Sequence, residues 1–213
     1  KNKDINGNNI TVPFKKDFIS YLDQLSLEAE KTQSVNTVYL KNDKIIGHNT
    51  DIDGFELAIR DANYDVEGKK ILILGAGGVA PSIIFALYKM GVLSIAISNR
   101  TKTKAENLKN LFKDLEVINW NETSDFDMII NATSIGLKKE DRLNLDFSKF
   151  QNCEFFYDVI YNPKETNFLR DGKSLGKKTE NGKKMFIYQA VKAFKVWHGI
   201  EPKVNEQVIG LVD

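Results

Sequence analysis

Three clusters of residues carry groups that could do chemistry. Gly75-Ala76-Gly77-Gly78-Val79-Ala80 is a variant of the dinucleotide fingerprint, with Ala80 in the third small-residue position. The first glycine permits a tight turn, and the next lets backbone approach a pyrophosphate. A helix beginning there offers free N–H groups and the positive end of its dipole to phosphates. Tight packing alone would also explain such glycines, but a short apolar run, Ile71-Leu72-Ile73-Leu74, leads directly into them. The second cluster is Ser98-Asn99-Arg100-Thr101, with Lys102 and Lys104 following. An acid near this point would hold a ribose 2′-hydroxyl; a guanidinium instead grips a phosphate through two hydrogen bonds. The pattern favours NADP over NAD, against the plain alternative of a surface arginine and a threonine helix cap. The third cluster is split. Asn8-Asn9-Ile10-Thr11-Val12-Pro13-Phe14-Lys15 and Gly47-His48-Asn49-Thr50-Asp51 each carry amides, a hydroxyl and a charge. Such groups read the hydroxyls of a small polar molecule, with Lys15 and Asp51 as a proton-transfer pair. Turn chemistry would account for the Asn, Thr and Pro as well.

The elements that must position these groups alternate between strand and helix. Residues 71–74 read as a buried parallel strand, 94–97, 116–118, 128–130 and 155–158 as further strands, and 78–90 and 101–113 as helices. Pro81 falls in the first turn of its helix, where proline is tolerated, and Gly91 is its stop signal. This alternation predicts an α/β fold: a Rossmann-like parallel sheet with helices on both faces. The ends differ. Residues 9–13 suggest a strand stopped by proline, 15–31 a helix, 35–40 and 44–47 a hairpin about Asn42-Asp43, and 182–213 two helices broken near Gly199–Pro202. The simplest organisation is a discontinuous α/β substrate-binding unit, residues 1–50 and 183–213, around an NADP-binding unit, residues 51–182.

Composition narrows the class. Of 213 residues, 42% are hydrophobic and 28% charged, the balance of a folded globular chain. A formal net charge of +1 does not suggest a nucleic-acid binder. No apolar run reaches the length of a membrane span. One cysteine, Cys153, forms no internal disulfide, and two histidines are too few for a Cys/His zinc site. The expected setting is a reducing cytoplasm, with no metal. Arg60, Arg100, Arg142 and Arg170 are the only arginines among 30 basic residues, so an arginine inside a motif carries more information than a lysine. Cys153 reads as an inert thiol, His48 as structural, and Trp197 and His198 as packing residues.

Taken together, these stretches closely resemble shikimate dehydrogenase. The matches are G-x-N-I-T-V-P-F-K at 7–15, S-V-N-T at 34–37, N-T-D at 49–51, G-A-G-G at 75–78, N-R-T at 99–101 and N-A-T-S-x-G at 131–136. Asp158-Val159-Ile160-Tyr161 and M-F-I-Y-Q-A at 185–190 complete the series, in the order of the family. The resemblance implies NADP-dependent, reversible interconversion of 3-dehydroshikimate and shikimate, on the route to aromatic amino acids. It implies Lys15 and Asp51 as the catalytic pair, and Asn9, Thr11, Asn36 and Gln189 on substrate hydroxyls. Tyr161 would lie near the substrate carboxylate. Asn99, Arg100, Thr101 and Lys104 would hold the adenosine 2′-phosphate. Asn131, Ala132, Thr133 and Gly182 would line the nicotinamide side. Lys104 stands where the family commonly has a second arginine, Val159 where methionine is frequent, and Lys184 where glycine is. The family also carries a further stretch before the first motif, including a serine pair for the carboxylate. The chain is therefore expected to be an incomplete representation of the enzyme, monomeric or homodimeric. A quinate/shikimate dehydrogenase and a catalytically incompetent cofactor-binding module are the alternatives.

Overall fold

Lys70–Leu74 (β5) is buried from its second residue onward, as a strand covered on both faces must be. In the computed structural model, which describes residues 6–122 and 125–212, it lies inside a six-stranded sheet. The other strands are Ser94–Ser98 (β6), Glu116–Val117 (β7), Met128–Asn131 (β8), Phe155–Asp158 (β9) and Lys178–Glu180 (β10). The order is β10-β9-β8-β5-β6-β7, and every pairing is parallel. The chain proceeds outward from β5 to β7, then restarts at β8 on the other side of β5. The carboxyl ends of β5 and β8 therefore flank a topological switch point, where open α/β sheets bind ligands.

Alternate residues of each strand feed different cores. Ile71, Ile73, Ile95, Ile97 and Ile130 pack with Ala80–Lys89 (α3), Lys102–Lys109 (α4) and Asp51–Asp61 (α2). Leu72, Leu74, Ala96, Ile129 and Phe156 face Asn167–Ser174 (α5) and the long connection between β8 and β9. Fully buried Phe55, Phe155 and Phe156 each contribute about 2–3 kcal/mol of burial.

The N-terminal segments form a second sheet, with strands in the order 7–9, 37–41, 44–48 and 24–25. Its strands are Gly7–Asn9 (β1), Gln24–Leu25 (β2), Thr37–Lys41 (β3) and Lys44–His48 (β4). The hairpin joining β3 and β4 turns at Asn42 and Asp43, both left-handed at φ 52° and 59°. Asn and Asp tolerate that region, so the two-residue turn matches the twist of its strands. The helix expected over 15–31 does not form as one element. A short 3-10 turn, Asp17–Tyr21, leads to β2, and Leu27–Thr32 (α1) follows. The edge of β4 takes the intervening chain: Asp23 N–H donates to Ile45 O, and the Asp23 carboxylate accepts from Ile45 N–H. Ser26 then caps the new helix through Ala29 N–H. The expected strand 9–13 is displaced: pairing starts at Gly7, and residues 11–15 turn, with Phe14 N–H bonded to Thr11 O. The helix expected to Lys113 ends at Lys109. Neither α5 nor β10 is among the expected elements; they span only eight and three residues.

Lys183–His198 (α6) packs along α2 and reaches both sheets. Met185 enters the core of the large sheet, while Trp197 Nε1 donates to Val38 O of β3 at 3.0 Å. The left-handed Gly199 (φ 70°) ends α6, and Asn205 caps Glu206–Gly210 (α7). Among the described residues no helix is long and apolar enough to cross a membrane, and no group of three potential metal ligands occurs.

Candidate active site

Lys15 leaves the turn after β1 and is nine-tenths buried; its carbonyl accepts from Val35 N–H. Asp51 opens α2, where the helix dipole favours a carboxylate. The structure brings the two together: Lys15 Nζ donates to Asp51 Oδ2 at 2.5 Å. Asn36 holds the other carboxylate oxygen, Nδ2 to Oδ1 at 2.9 Å, while its own Oδ1 accepts from Thr50 N–H. Asn36 Nδ2 has two hydrogens but three acceptors in reach. Gln189 Oε1, at 3.3 Å the longest, is the one an incoming hydroxyl displaces most easily. Asn9 donates to Asn36 O at 3.0 Å, so β1, β3, α2 and α6 meet at one point. Thr11 lies exposed in the adjoining turn. Tyr161 is stacked on Phe186 of α6, ring centroids 4.7 Å apart.

The glycine-rich turn forms the base of a cleft of about 960 Å³, near the upper end of the ~300–1,000 Å³ range of ligand sites. Gly75 must be glycine: φ is 105°, and a Cβ would lie 2.8 Å from Thr133 Cγ2 and 2.9 Å from Ala132 O. Gly77 and Gly78 face open space instead. A Cβ on either would meet protein only at 3.7 Å. Asn99 ties this turn to the next, accepting from Ala76 N–H and donating to Thr101 O. Arg100, Thr101, Lys102 and Lys104 line the cleft, as do Ala132 and Thr133, and none of its walls is acidic among the described residues. A bare glycine turn at a helix N-terminus, beside unpaired cations, fits a dinucleotide carrying an extra phosphate.

Three expected cofactor residues stand elsewhere. Ala80, the first residue of α3, is fully buried in the core. Asn131 is buried behind the wall, its Oδ1 accepting from Thr133 N–H and Oγ1. Gly182 backs Val159: a Cβ there would sit 2.0 Å from Val159 O. Sequence reasoning gave no role to Asp158, yet it organises this wall. Its carboxylate accepts from Thr166 Oγ1 at 2.6 Å, Ile160 N–H at 3.0 Å and Asn131 Nδ2 at 3.1 Å. Burial pushes its carboxyl up to about 6, against the pull of those donors. The signal available was an acid at a strand end, opening the stretch Asp158-Val159-Ile160-Tyr161. His48 is structural in its contacts, 2.7 Å from Ser26 Oγ, and burial pushes the Cys153 thiol up to about 12.

Val12 joins the two regions, reaching from the small sheet to line the cleft beside Gly78. The family described as Shikimate / quinate 5-dehydrogenase matches residues 56–145, and the shikimate dehydrogenase substrate binding domain matches residues 1–38. A shikimate dehydrogenase (NADP(+)) of Pelagibacter ubique (strain HTCC1062) is 58% identical over 209 residues, 98% of this chain and 79% of that relative. The chain belongs to the shikimate dehydrogenase family. Solved structures agree. The Aquifex aeolicus shikimate dehydrogenase superposes with a TM-score of 0.88 at 38% identity, over 98% of this chain and 77% of that one. The Thermus thermophilus enzyme, solved with NADP(H) and shikimate, has a TM-score of 0.88 at 30% identity, over 99% and 78% of the two chains.

Proposed function

We propose that this chain reduces 3-dehydroshikimate to shikimate with NADPH, reversibly, as a cytoplasmic step toward aromatic amino acids. The observation that carries this reading is the buried Lys15–Asp51 pair, joined through Val12 to an acid-free cleft over the glycine turn. Residues 1–50 and 183–213 act as the substrate-binding unit and 51–182 as the NADP-binding unit, in keeping with the division of the strands between two sheets. NADPH, when bound, supplies the hydride. Gly75, Ala76, Gly77, Gly78 and Val79 receive its pyrophosphate, Arg100, Thr101 and Lys104 its 2′-phosphate, and Ala132 and Thr133 the nicotinamide side.

The protein's own groups handle the proton. The Lys15 ammonium hydrogen-bonds to the ring ketone oxygen and stabilises the alkoxide that forms there. A proton passes from Nζ to that oxygen, leaving the lysine neutral. Asp51, held by Asn36, keeps Nζ aimed and relays a replacement proton. The direct contact of Nζ with Asp51 Oδ2 couples the two groups in this transfer. Asn9, Thr11, Asn36 and Gln189 read the ring hydroxyls, and Tyr161 the carboxylate end. Burial of the pair strengthens these charge-assisted bonds relative to water.

The test is to follow NADPH absorbance with shikimate or quinate as substrate and NADP+ or NAD+ as cofactor. Shikimate with NADP+ should give the highest kcat/KM. A preference for quinate or NAD+ would overturn the assignment. Titrations of NADP+ and shikimate distinguish an enzyme, whose sites couple, from a cofactor-binding module, which would take up NADP+ alone.

A further inference from the structure

The chain has four arginines, and the structure divides them cleanly. Arg60 is bonded to Glu56 at 3.1 Å, and Arg170 to Asn167 at 3.0 Å with Glu165 at 3.6 Å. Arg100 and Arg142 have no hydrogen-bond or ion-pair partner among the described residues, and both line the same cleft. Arg100 belongs to a cofactor motif. Arg142 belongs to none; it sits in the long connection between β8 and β9.

That connection is held from several sides. Asp141 accepts from Gly136 and Lys138 N–H, both at 3.1 Å. Asn167 Nδ2 donates to Lys139 O and Asp141 O. Leu143 is buried in the core. Trp120, in the chain after β7, donates Nε1–H to Asn144 O at 2.8 Å and also lines the cleft. The strand order puts β7 next to β6, whose end carries Arg100. The Trp120–Asn144 bond thus pins Arg142 to the adenosine side of the cleft, away from Val159 and the substrate sheet. The chain on both sides of Arg142 is anchored, so the backbone that carries it needs little ordering when a ligand arrives.

We propose that Arg142 and Trp120 form a second wall of the NADP site, Arg142 adding a cation for the adenosine 2′-phosphate and Trp120 an aromatic surface for the adenine. This rests on the NADP reading above and deepens it. A guanidinium is the group suited to bidentate phosphate contact, and an indole has the largest face for stacking on a purine. The wall also accounts for Lys104 standing where a second arginine is common: the missing fork is supplied from another loop.

The experiment measures binding directly, with adenosine 2′,5′-bisphosphate, NADP+ and NAD+ titrated calorimetrically into the whole chain. Arg142→Gln should weaken the bisphosphate and NADP+ roughly tenfold, the scale of one charge-assisted contact, with NAD+ changed less than about threefold. Arg142→Lys should recover part of the loss, and shikimate affinity should stay as in the wild type. The chain has two tryptophans, and Trp197, bonded to Val38 O, does not line the cleft. Bisphosphate should therefore perturb tryptophan emission in the wild type and leave it unchanged in Trp120→Phe, whose melting curve checks its folding. Wild-type affinity in Arg142→Gln, equal losses for NADP+ and NAD+, or an emission change surviving Trp120→Phe would each overturn the wall. If the unmodified chain binds NAD+ but neither NADP+ nor the bisphosphate, the cofactor reading falls and the wall with it.

Discussion

Lys15 and Arg100 look alike by charge but are set in opposite circumstances, one sealed against Asp51 and one free in an open cleft. Their variants should part accordingly. Lys15→Ala should lower turnover by ~10²–10⁴-fold, the range for proton-transfer and oxyanion groups, and leave NADPH affinity nearly intact. Near-normal turnover would remove Lys15 from the chemistry. Arg100→Ala should cost NADP(H) binding roughly 2–3 kcal/mol and NAD(H) binding much less, read by cofactor titration. Equal losses would make Arg100 structural. Asp158 makes a different forecast. Burial lifts its folded pKa to about 6 from the ordinary 3.8, so the folded protein keeps a proton that the unfolded chain has released. An acid shifted upward stabilises the fold below its unfolded pKa, and that contribution falls as pH rises through the folded pKa. Between roughly pH 4 and 6, stability should decline by up to about 3 kcal/mol on this account and level off above. Thermal melts across that window should show the slope in the wild type and its loss in Asp158→Asn; identical slopes would assign the proton elsewhere.

Among the elements, the contact between α2 and α6 has the most to do with function, because α2 begins with Asp51 and α6 carries Gln189. Gly54 lets them approach. A Cβ there would lie 2.8 Å from both Gln189 Cβ and Met185 O, and 2.9 Å from Gln189 N. Two of those atoms are backbone and cannot swing aside. Gly54→Ala should force the helices apart, costing ~1–3 kcal/mol of stability as an overpacked core does, and should displace Gln189 from Asn36. The expected signature is a lower Tm together with a KM for shikimate raised more than that for NADP+. An unchanged Tm would mean that the crossing relaxes freely.

At the scale of the molecule, the two sheets also meet through specific contacts near the glycine turn. Ser34 Oγ donates to Gly78 O at 3.4 Å, Asn49 Nδ2 donates to Ser82 Oγ at 2.9 Å, and Val12 reaches the cleft. Ordering one side of this junction orders the other, so the ligands should bind cooperatively. Saturating shikimate is expected to tighten NADP+ by about 5–150-fold, the range of common coupling energies, and NADP+ to tighten shikimate by the same factor. Calorimetric titration of each ligand with and without the other checks this; independent binding would show the halves to be uncoupled.

The local patterns were legible because they depend on neighbours in the chain. The apolar run of β5, the glycine turn, Pro81 at the start of α3 and the Asn42-Asp43 turn each obey rules of backbone sterics and burial that act within a few residues. The Lys15–Asp51 pair was legible as types and order, though not as a 2.5 Å contact. What tertiary structure decided lies across long separations. The segment after Lys15 has a helical pattern, yet β4 recruits Gln24–Leu25 into the sheet, since an unpaired edge gains more from hydrogen bonds than a marginal helix gains from propensity. Asp158 became the organiser of Asn131 and Thr166 only when parallel pairing set β8 beside β9. Trp120 and Arg142 share a wall only because the β8–β9 connection crosses the sheet face to reach the end of β7. Short-range sterics write themselves into the order of residues; long-range juxtaposition depends on the competition of every buried surface at once, and no local window contains that sum.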